Sequence, residues 1–228
     1  MPEARMRIEW TRVTDFIARK DSELAASFVG ANRRDIDAVQ DRLGITLPST
    51  YVDFLTTMGE ESGDLHPFGE TQVHAFSELL EQLPSTAHMP KRFFRIAYES
   101  DEFAVAFLDT YLDLSRSDGH DAPIATFETP VEPGRTDFPE DSLTFTERVL
   151  YHVFWVLDVS RREFGARIVI SGNKDWRGSG QKDAPARLLA QTGLAPVLPD
   201  LPRVACLSRP SASALLSVSD ARRLVALE

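Results

Sequence analysis

The sequence predicts an α+β domain in which helices pack against a meandering, mostly antiparallel sheet, followed by a C-terminal α/β extension. Two patterns favour this class. Apolar residues recur at helical spacing before residue 60 and again after residue 143. Between residues 93 and 129, aromatic and β-branched residues instead form short runs separated by polar turns, which is typical of neighbouring antiparallel strands.

The N-terminal part of the chain is expected to be helical. Residues 5–30 have an amphipathic pattern, which predicts one helix that ends at Gly30. A short second helix is expected to start with Asp35 as its N-cap. It should end at Gly44, because glycine suits the left-handed position that follows many helices.

Pro48 and Gly59 predict the limits of the next helix. Proline disfavours helical backbone at the residue before it, so the helix should begin at Pro48 or just after it, and Gly59 should end it. Its apolar face is expected to enter the core and consists of Tyr51, Phe54, Leu55 and Met58.

The middle of the sequence predicts the sheet. A short strand, "TQVHAF", precedes a helical turn for which Ser77 is the expected N-cap. The segments "FFRIAYES" and "FAVAFLDTYLDL" are expected to pair as an antiparallel hairpin with Asp101 and Glu102 between them, and "IATFET" should add a third strand. One face of the second strand is expected to carry Phe103, Val105 and Phe107.

The longest helix is expected after the sheet. Thr144 and Glu147 have the spacing of a capping box, and the helical pattern continues through Arg161 and Arg162 to Gly165. Apolar residues cover most of its circumference, which predicts burial against the sheet. The last residues predict a strand at "ARIVISG", a helix near "APARLLAQTG" and strands near "RVACLS" and "ALLSV".

The distribution of charge restricts the classes of partner. The net charge is −10, but residues 35–145 contain 22 acidic and 6 basic side chains, while both flanking segments are slightly basic. An acidic surface of this size repels nucleic acid and anionic membranes and attracts a basic protein.

No apolar run approaches the roughly 18 residues of a membrane span. The N-terminus lacks an apolar secretory core, so a cytoplasmic location is expected.

The sequence provides no recognisable catalytic or metal site. Cys206 is the only cysteine, which excludes intrachain disulfides and cysteine-based zinc sites, and its apolar neighbours predict a buried thiol. The five histidines form no HxxxH or HxH pattern. Asp64, His66 and Glu70 come closest to a metal site, although polar turns commonly contain such residues. No catalytic residue, metal ligand or cofactor is therefore predicted.

Two polar loops also lack the spacing of known ligand sites. The acidic residues that follow Asp113 do not have the ligand positions of an EF-hand. The loop "SGNKDWRGSG" matches neither phosphate-binding pattern, although Lys174, Arg177 and Lys182 could meet an anion. An enzyme or ligand binder that uses His66 and residues 171–180 is the least favoured alternative.

One dense motif and the order of the elements resemble the SUKH superfamily, the Smi/Knr-like domain. The hallmark of that domain is Leu-Gly, then Leu-Pro, a tyrosine three residues after the proline, a Phe-Leu pair and a closing glycine. A later Leu-Asp-Leu-Ser element resembles residues 112–115, whereas Met58 stands where an asparagine is usual. The matching positions of the first motif are Leu43, Gly44, Leu47, Pro48, Tyr51, Phe54, Leu55 and Gly59.

The resemblance covers about residues 31–160 and implies an α+β fold without shared catalytic residues. Most bacterial relatives look like immunity proteins that bind and neutralise a toxin domain, often a nuclease, whereas fungal relatives regulate cell-wall synthesis through protein contacts. We therefore predict a non-catalytic module, an immunity protein whose partner is a basic toxin domain. A regulator or scaffold that binds a host protein is the alternative.

These expectations divide the chain into an N-terminal helix over residues 1–30, a SUKH-like domain over residues 31–165 and an extension over residues 166–228 that packs on it. The partner is expected to contact acids in the turn after Gly59 and at strand ends, and the oligomeric state is left open. The candidate contact residues are Glu60, Glu61, Asp64, Glu70, Asp101, Glu102, Asp118 and Asp121.

Overall fold

The computed structural model describes residues 10–83, 89–101, 103–104, 107–129, 143–161, 191, 193–198, 204–209 and 212–217. The helices are α1 (Trp10–Lys20), α2 (Ser22–Ala26), α3 (Arg33–Leu43), α4 (Ser49–Met58), α5 (Phe76–Glu81) and α6 (Phe145–Phe154). The strands are β1 (Gln72–Val73), β2 (Phe93–Glu99), β3 (Leu108–Asp113), β4 (Ile124–Glu128), β5 (Ala195–Pro196), β6 (Val204–Arg209) and β7 (Ala212–Ser217).

The strands form two antiparallel sheets. Four consecutive strands pair in the order β1-β2-β3-β4, and the remaining three pair in the order β5-β6-β7. Helices pack on the four-stranded sheet, which confirms the predicted α+β class and the meandering order of its strands.

The predicted helix over residues 5–30 is wrong in extent, because its described part consists of two helices that meet at Asp21. The backbone of Asp21 is extended, and its carboxylate accepts a hydrogen bond from the Leu24 amide at 2.9 Å, so it caps α2. The same carboxylate accepts a hydrogen bond from the Arg161 guanidinium at 2.7 Å. An aspartate that satisfies a new helix start favours a break over a continuous helix.

Gly30 does not end a helix but lies against the backbone of α4. A Cβ atom at this position would be 2.0 Å from the carbonyl oxygen of Thr56. The amide of the next residue, Ala31, donates to the carbonyl of Leu55 at 2.7 Å, which holds the segment against the helix. This close approach of two backbones therefore requires glycine.

Replacement of Gly30 by alanine is expected to lower the free energy of unfolding by roughly 2 to 3 kcal/mol, since the added methyl group must push the segment away from the backbone of α4. Urea unfolding gives the value. Gly44→Ala is the control, because that site has open space and only its left-handed backbone disfavours alanine, at a cost of about 1 kcal/mol. Equal losses in the two variants would contradict the steric explanation.

The corner between α3 and α4 forms as predicted, except at its first cap. Gly44 has φ 63° and follows α3 in the left-handed conformation, and α4 begins directly after Pro48. The N-cap of α3 is Asn32, whose side chain accepts a hydrogen bond from the Arg34 amide at 2.9 Å, and Asp35 lies in the first turn instead. The predicted face of α4 is buried, namely Tyr51, Phe54, Leu55 and Met58.

Both faces of the four-stranded sheet are apolar. One face joins the main core, to which α1, α3, α4 and α6 also contribute; the sheet residues in this core include Phe94, Ile96, Leu112 and Ile124. The other face carries a smaller cluster that consists of Met89, Phe93, Tyr111, Ala125 and Phe127.

The hairpin of β2 and β3 is antiparallel as predicted, but its connection is longer. β3 begins only at Leu108, so the predicted strand face with Phe103 and Phe107 is wrong, and both residues lie in the connection. The amide of Ala104 donates to the carbonyl of Asp101 at 3.0 Å, and this turn hydrogen bond replaces strand pairing. Val105 lies outside the described residues.

Thr144 and Glu147 form the predicted capping box at the start of α6. The Thr144 hydroxyl accepts from the Glu147 amide at 3.3 Å, and the Glu147 carboxylate accepts from the Thr144 amide at 3.0 Å. The prediction that the α-helix continues to Gly165 is wrong, because α6 ends at Phe154 and residues Trp155–Val159 form a π-helical turn. Arg162 and Gly165 themselves lie outside the described residues.

The strands predicted near the C-terminus are confirmed as β6 and β7, and Cys206 is buried as predicted. The buried carboxylate of Asp158, in the turn after α6, connects β7 to α1. It accepts hydrogen bonds from Lys20 Nζ in α1 and from Ser213 Oγ in β7, each at 2.6 Å. The predicted strand "ARIVISG" and most of the predicted helix near "APARLLAQTG" lie outside the described residues.

Candidate protein-binding surface

Five of the eight candidate acids lie in two segments that meet at β1. They are Glu60, Glu61, Asp64 and Glu70, in the loop between α4 and β1, and Asp101, two residues after the end of β2. Three of these side chains are exposed, whereas those of Glu60 and Asp101 are half-buried. Glu102 lies outside the described residues.

The pairing of β1 with β2 brings the two segments together. The amide and the hydroxyl of Ser100 donate to the carbonyl of Thr71 at 3.1 and 2.7 Å, and the Thr71 hydroxyl donates to the Glu99 carboxylate at 2.9 Å. Glu70 and Asp101, which are next to these residues in the sequence, therefore lie at the same edge of the sheet.

Helix α5 adds acidic side chains beside this edge. The hydroxyl of Tyr98 donates to the Glu78 carboxylate at 3.3 Å, and burial, followed by the charge of Glu78, raises the pKa of Tyr98. Glu60 accepts hydrogen bonds from the Ser77 amide at 3.2 Å and from the Ser77 hydroxyl at 2.6 Å. The predicted N-cap at Ser77 is wrong, since Ala75 holds that position and the Glu60 carboxylate pairs with the first turn instead.

The strand register adds one more carboxylate, because Leu108 at the start of β3 pairs with Glu128 at the end of β4. Residues 43–90 and 96–115 contain no lysine or arginine. Between these intervals, Arg95 is buried, whereas Lys91 and Arg92 are exposed but precede β2, at the opposite end of that strand from Glu99. The segments that build this surface therefore provide carboxylates without an exposed cation. We name it the acidic end and define it by Glu60, Glu70, Glu78, Glu99, Asp101 and Glu128.

Two phenylalanines lie on the connection between β2 and β3, within the acidic end. The Phe103 side chain is 84% exposed and that of Phe107 is 42% exposed. Exposed aromatic groups among charged groups are typical of protein-binding surfaces, in which an apolar centre is surrounded by a polar rim.

Asp118 and Asp121 lie far from the acidic end. Both residues lie in the connection between β3 and β4. This connection contacts the start of α4, where the Ser49 amide donates to the carbonyl of Gly119 at 3.1 Å. The ten residues of α4, about 15 Å of helix, therefore separate Asp118 and Asp121 from Gly59 and the loop acids.

The carboxylates of Asp118 and Asp121 also have local structural partners. Asp118 accepts from the amides of His120 and Asp121 at 2.9 and 2.8 Å, which fixes the turn. Asp121 accepts from the amide of Ala122 at 2.9 Å and from that of Thr146, in the first turn of α6, at 3.4 Å.

Two serine–histidine contacts have the distance of a catalytic pair. Ser49 Oγ lies 2.9 Å from His120 Nδ1, and Ser62 Oγ lies 3.0 Å from His74 Nε2. The Ser62 hydroxyl also pairs with the carbonyl of Leu65. Among the described residues, neither imidazole has a carboxylate at its other ring nitrogen, so the third group that orients a catalytic histidine is absent there.

His66, in the loop that follows α4, acts electrostatically on two other histidines, His74 and His152. Burial lowers the pKa of His74, and the charge of His66 lowers it further. Burial, then the charges of Arg148 and His66, lower the pKa of His152 to about 4. The described residues contain no group of three or more histidine, cysteine or acidic side chains that could hold a metal ion, and this includes the predicted neighbours of His66.

The sequence did not identify Glu78, Glu99, Glu128 or the exposure of Phe103 as features of a surface. The acids come from α5, β2 and β4, and only the pairing of the strands brings them together. One signal was available, because the two long intervals without lysine or arginine mark these segments as a source of negative charge. Lys174, Arg177, Lys182 and the rest of the loop over residues 171–180 lie outside the described residues.

The fold is that of an α+β domain, and carboxylates and exposed aromatic side chains lie on the segments at one end of its four-stranded sheet. Residues 30–177 match the SMI1 / KNR4 family (SUKH-1), and because this match spans more than half of the chain, the chain belongs to that family. The resemblance noted in the sequence is thereby confirmed. No curated protein and no solved structure gave a significant match to the chain.

Membership in this family supports a non-catalytic role that depends on a protein partner. None of the helices in the described part of the chain combines the length and the apolar composition needed to cross a membrane.

Proposed function

We propose that this chain is an immunity protein that binds and neutralises a toxin domain through the acidic end. The observation that carries the proposal is a surface of six carboxylates built from segments without an exposed cation. Proteins that bind nucleic acids use lysine and arginine to contact phosphates, so the substrate face of a nuclease toxin is basic. An acidic protein surface competes for the same face and requires no chemistry of its own.

The loop acids Glu61 and Asp64, together with Glu102, extend the proposed contact surface beyond the acidic end. Asp118 and Asp121 are assigned no contact in this proposal, because they lie at the other end of α4 and pair with backbone amides. A cytoplasmic location agrees with the role, since a toxin that acts on nucleic acid must be neutralised inside the producing cell.

Neutralisation of four carboxylates is expected to lower the association rate constant about tenfold at low ionic strength and to weaken its dependence on salt. The variant combines Glu70→Gln, Glu78→Gln, Asp101→Asn and Glu128→Gln. The binding partner is the toxin domain that the proposal expects to be encoded beside the gene of this chain. Stopped-flow association at increasing salt concentration measures both quantities.

The matched control combines Asp35→Asn, Asp41→Asn, Asp53→Asn and Asp118→Asn, four exposed carboxylates that lie elsewhere. It changes the net charge equally and is expected to alter the rate less than threefold. Equal effects of both sets would show that total charge, and not the acidic end, governs association. If the toxin domain does not bind and cells are not protected, immunity is refuted, and binding to a host protein would favour a regulator or scaffold.

A further inference from the structure

We propose that Phe103 is the apolar anchor of the acidic end and that it enters an apolar pocket rimmed by lysine and arginine on the partner. This inference rests on the proposed protein-binding function and adds the residue that determines how long the complex lasts. Among the described large apolar side chains, Phe103 is the most exposed, since the others that are classed as exposed lie between 37% and 46%.

Single exposed apolar residues are common on protein surfaces and usually need no explanation. Phe103 differs because a second phenylalanine, Phe107, is exposed in the same connection and because the carboxylates of Glu99 and Asp101 hydrogen-bond to the turn that carries it. Exposed aromatic side chains among charged groups are characteristic of the residues that dominate binding energy.

The turn that presents Phe103 is fixed by hydrogen bonds. The Asp101 amide donates to the Glu99 carboxylate at 2.9 Å, and the Phe103 amide donates to the Asp101 carboxylate at 2.9 Å. The Ala104 amide closes the turn on the carbonyl of Asp101 at 3.0 Å. Two carboxylates of the acidic end therefore hold the backbone that carries the ring, which lowers the entropy lost on binding.

Both ends of the connection are also attached to the sheet. At its start, Ser100 donates to the carbonyl of Thr71 on the β1 side. At its end, the carbonyl of Phe107 accepts from the amide and the hydroxyl of Thr129 at 2.8 and 3.2 Å. The two phenylalanines are thus presented by backbone that is held from both sides.

The chemistry around the ring determines the kind of partner. Nucleic acids and anionic lipid surfaces are repelled by the carboxylates that surround it. A partner pocket with lysine or arginine at its rim can make two kinds of favourable contact with this surface. Its cations form ion pairs with the carboxylates and cation–π contacts with the face of the aromatic ring. The partner is therefore a protein with a basic surface and an apolar pocket within it.

Replacement of Phe103 by alanine is expected to weaken binding of the toxin domain about 30-fold or more, the effect of a residue that dominates an interface. The loss should appear in the dissociation rate, while the association rate and its salt dependence stay close to those of the native chain. Phe103→Tyr keeps the ring and is expected to retain most of the affinity. The melting temperature should not change, because an exposed ring contributes little packing.

Trp155→Ala is the matched control, since Trp155 is an exposed aromatic residue that follows α6, outside the acidic end. If the chain binds the toxin domain but Phe103→Ala lowers the affinity less than threefold, the proposal that Phe103 is the anchor is overturned. The proposed function would stay intact.

If the toxin domain does not bind at all, the proposed function fails and a second measurement decides about the anchor. The photoreactive amino acid p-benzoylphenylalanine is placed at position 103 or at position 155 of the full chain in cells of the source organism. A basic protein that crosslinks from position 103 but not from position 155 would support the anchor. Equal crosslinking from both positions, or none, would overturn it.

Discussion

Replacement of Asp109 by alanine is expected to lower the free energy of unfolding by about 3 to 5 kcal/mol, because it removes the carboxylate that neutralises the buried guanidinium of Arg95. The carbonyl of Gln82, which also accepts from this guanidinium at 2.9 Å, carries no compensating charge. Arg95 and Asp109 are only 9% and 4% exposed, and the guanidinium lies 3.1 Å from the Asp109 carboxylate. The same carboxylate accepts a hydrogen bond from the Tyr111 hydroxyl at 3.2 Å. Burial, followed by the charge of Asp109, raises the pKa of Tyr111, so its hydroxyl remains a donor at neutral pH.

Urea unfolding measures the loss, and two variants test its cause. Asp53→Ala removes an exposed carboxylate from α4 and is expected to change stability by less than about 0.5 kcal/mol. The double variant Arg95→Met with Asp109→Leu removes both charges and should be more stable than Asp109→Ala alone. A loss below about 1 kcal/mol for Asp109→Ala would show that Arg95 does not depend on this partner.

Acidification from about pH 7 to about pH 5 is expected to lower the free energy of unfolding by about 2 kcal/mol through His152. The pKa of His152 is about 4 in the folded chain, below its ordinary value of 6.5. The unfolded chain therefore binds a proton near pH 6.5 while the folded chain does not. The contribution of the neutral His152 to stability is fully present above pH 6.5 and is lost as the pH falls towards 4. The lowered pKa of His74 acts in the same direction.

Urea midpoints across this pH range measure the effect, and a histidine titration followed by NMR reports the pKa of His152 directly. His152→Gln removes the titrating group and is expected to flatten the dependence of stability on pH. Phe103→Ala, which changes no titrating group and removes an exposed side chain, should leave that dependence unchanged. A midpoint that does not shift between pH 7 and pH 5 in the native chain would contradict the burial of a neutral His152.

The parts of the fold that were predicted correctly depend on interactions within a few residues. Gly44 and Pro48 act on their own backbone, and Thr144 and Glu147 cap a helix that begins between them. The strands were predicted because aromatic and β-branched side chains favour a pleated backbone wherever the sheet lies. The predicted extent of the first helix was wrong at Asp21. The carboxylate that caps α2 there also pairs with Arg161, which is 140 positions away in the sequence.

The sequence by itself determined the fold class, the family motif and the negative charge of the middle segments, since these follow from residue type and short-range spacing. Only the tertiary structure decided which charges share a surface. The register of β1 against β2 places Glu70 beside Asp101, and the length of α4 keeps Asp118 away from them. The exposure of Phe103 likewise depends on a turn that delays the start of β3 to Leu108, because a side chain in a turn does not follow the alternation of a strand.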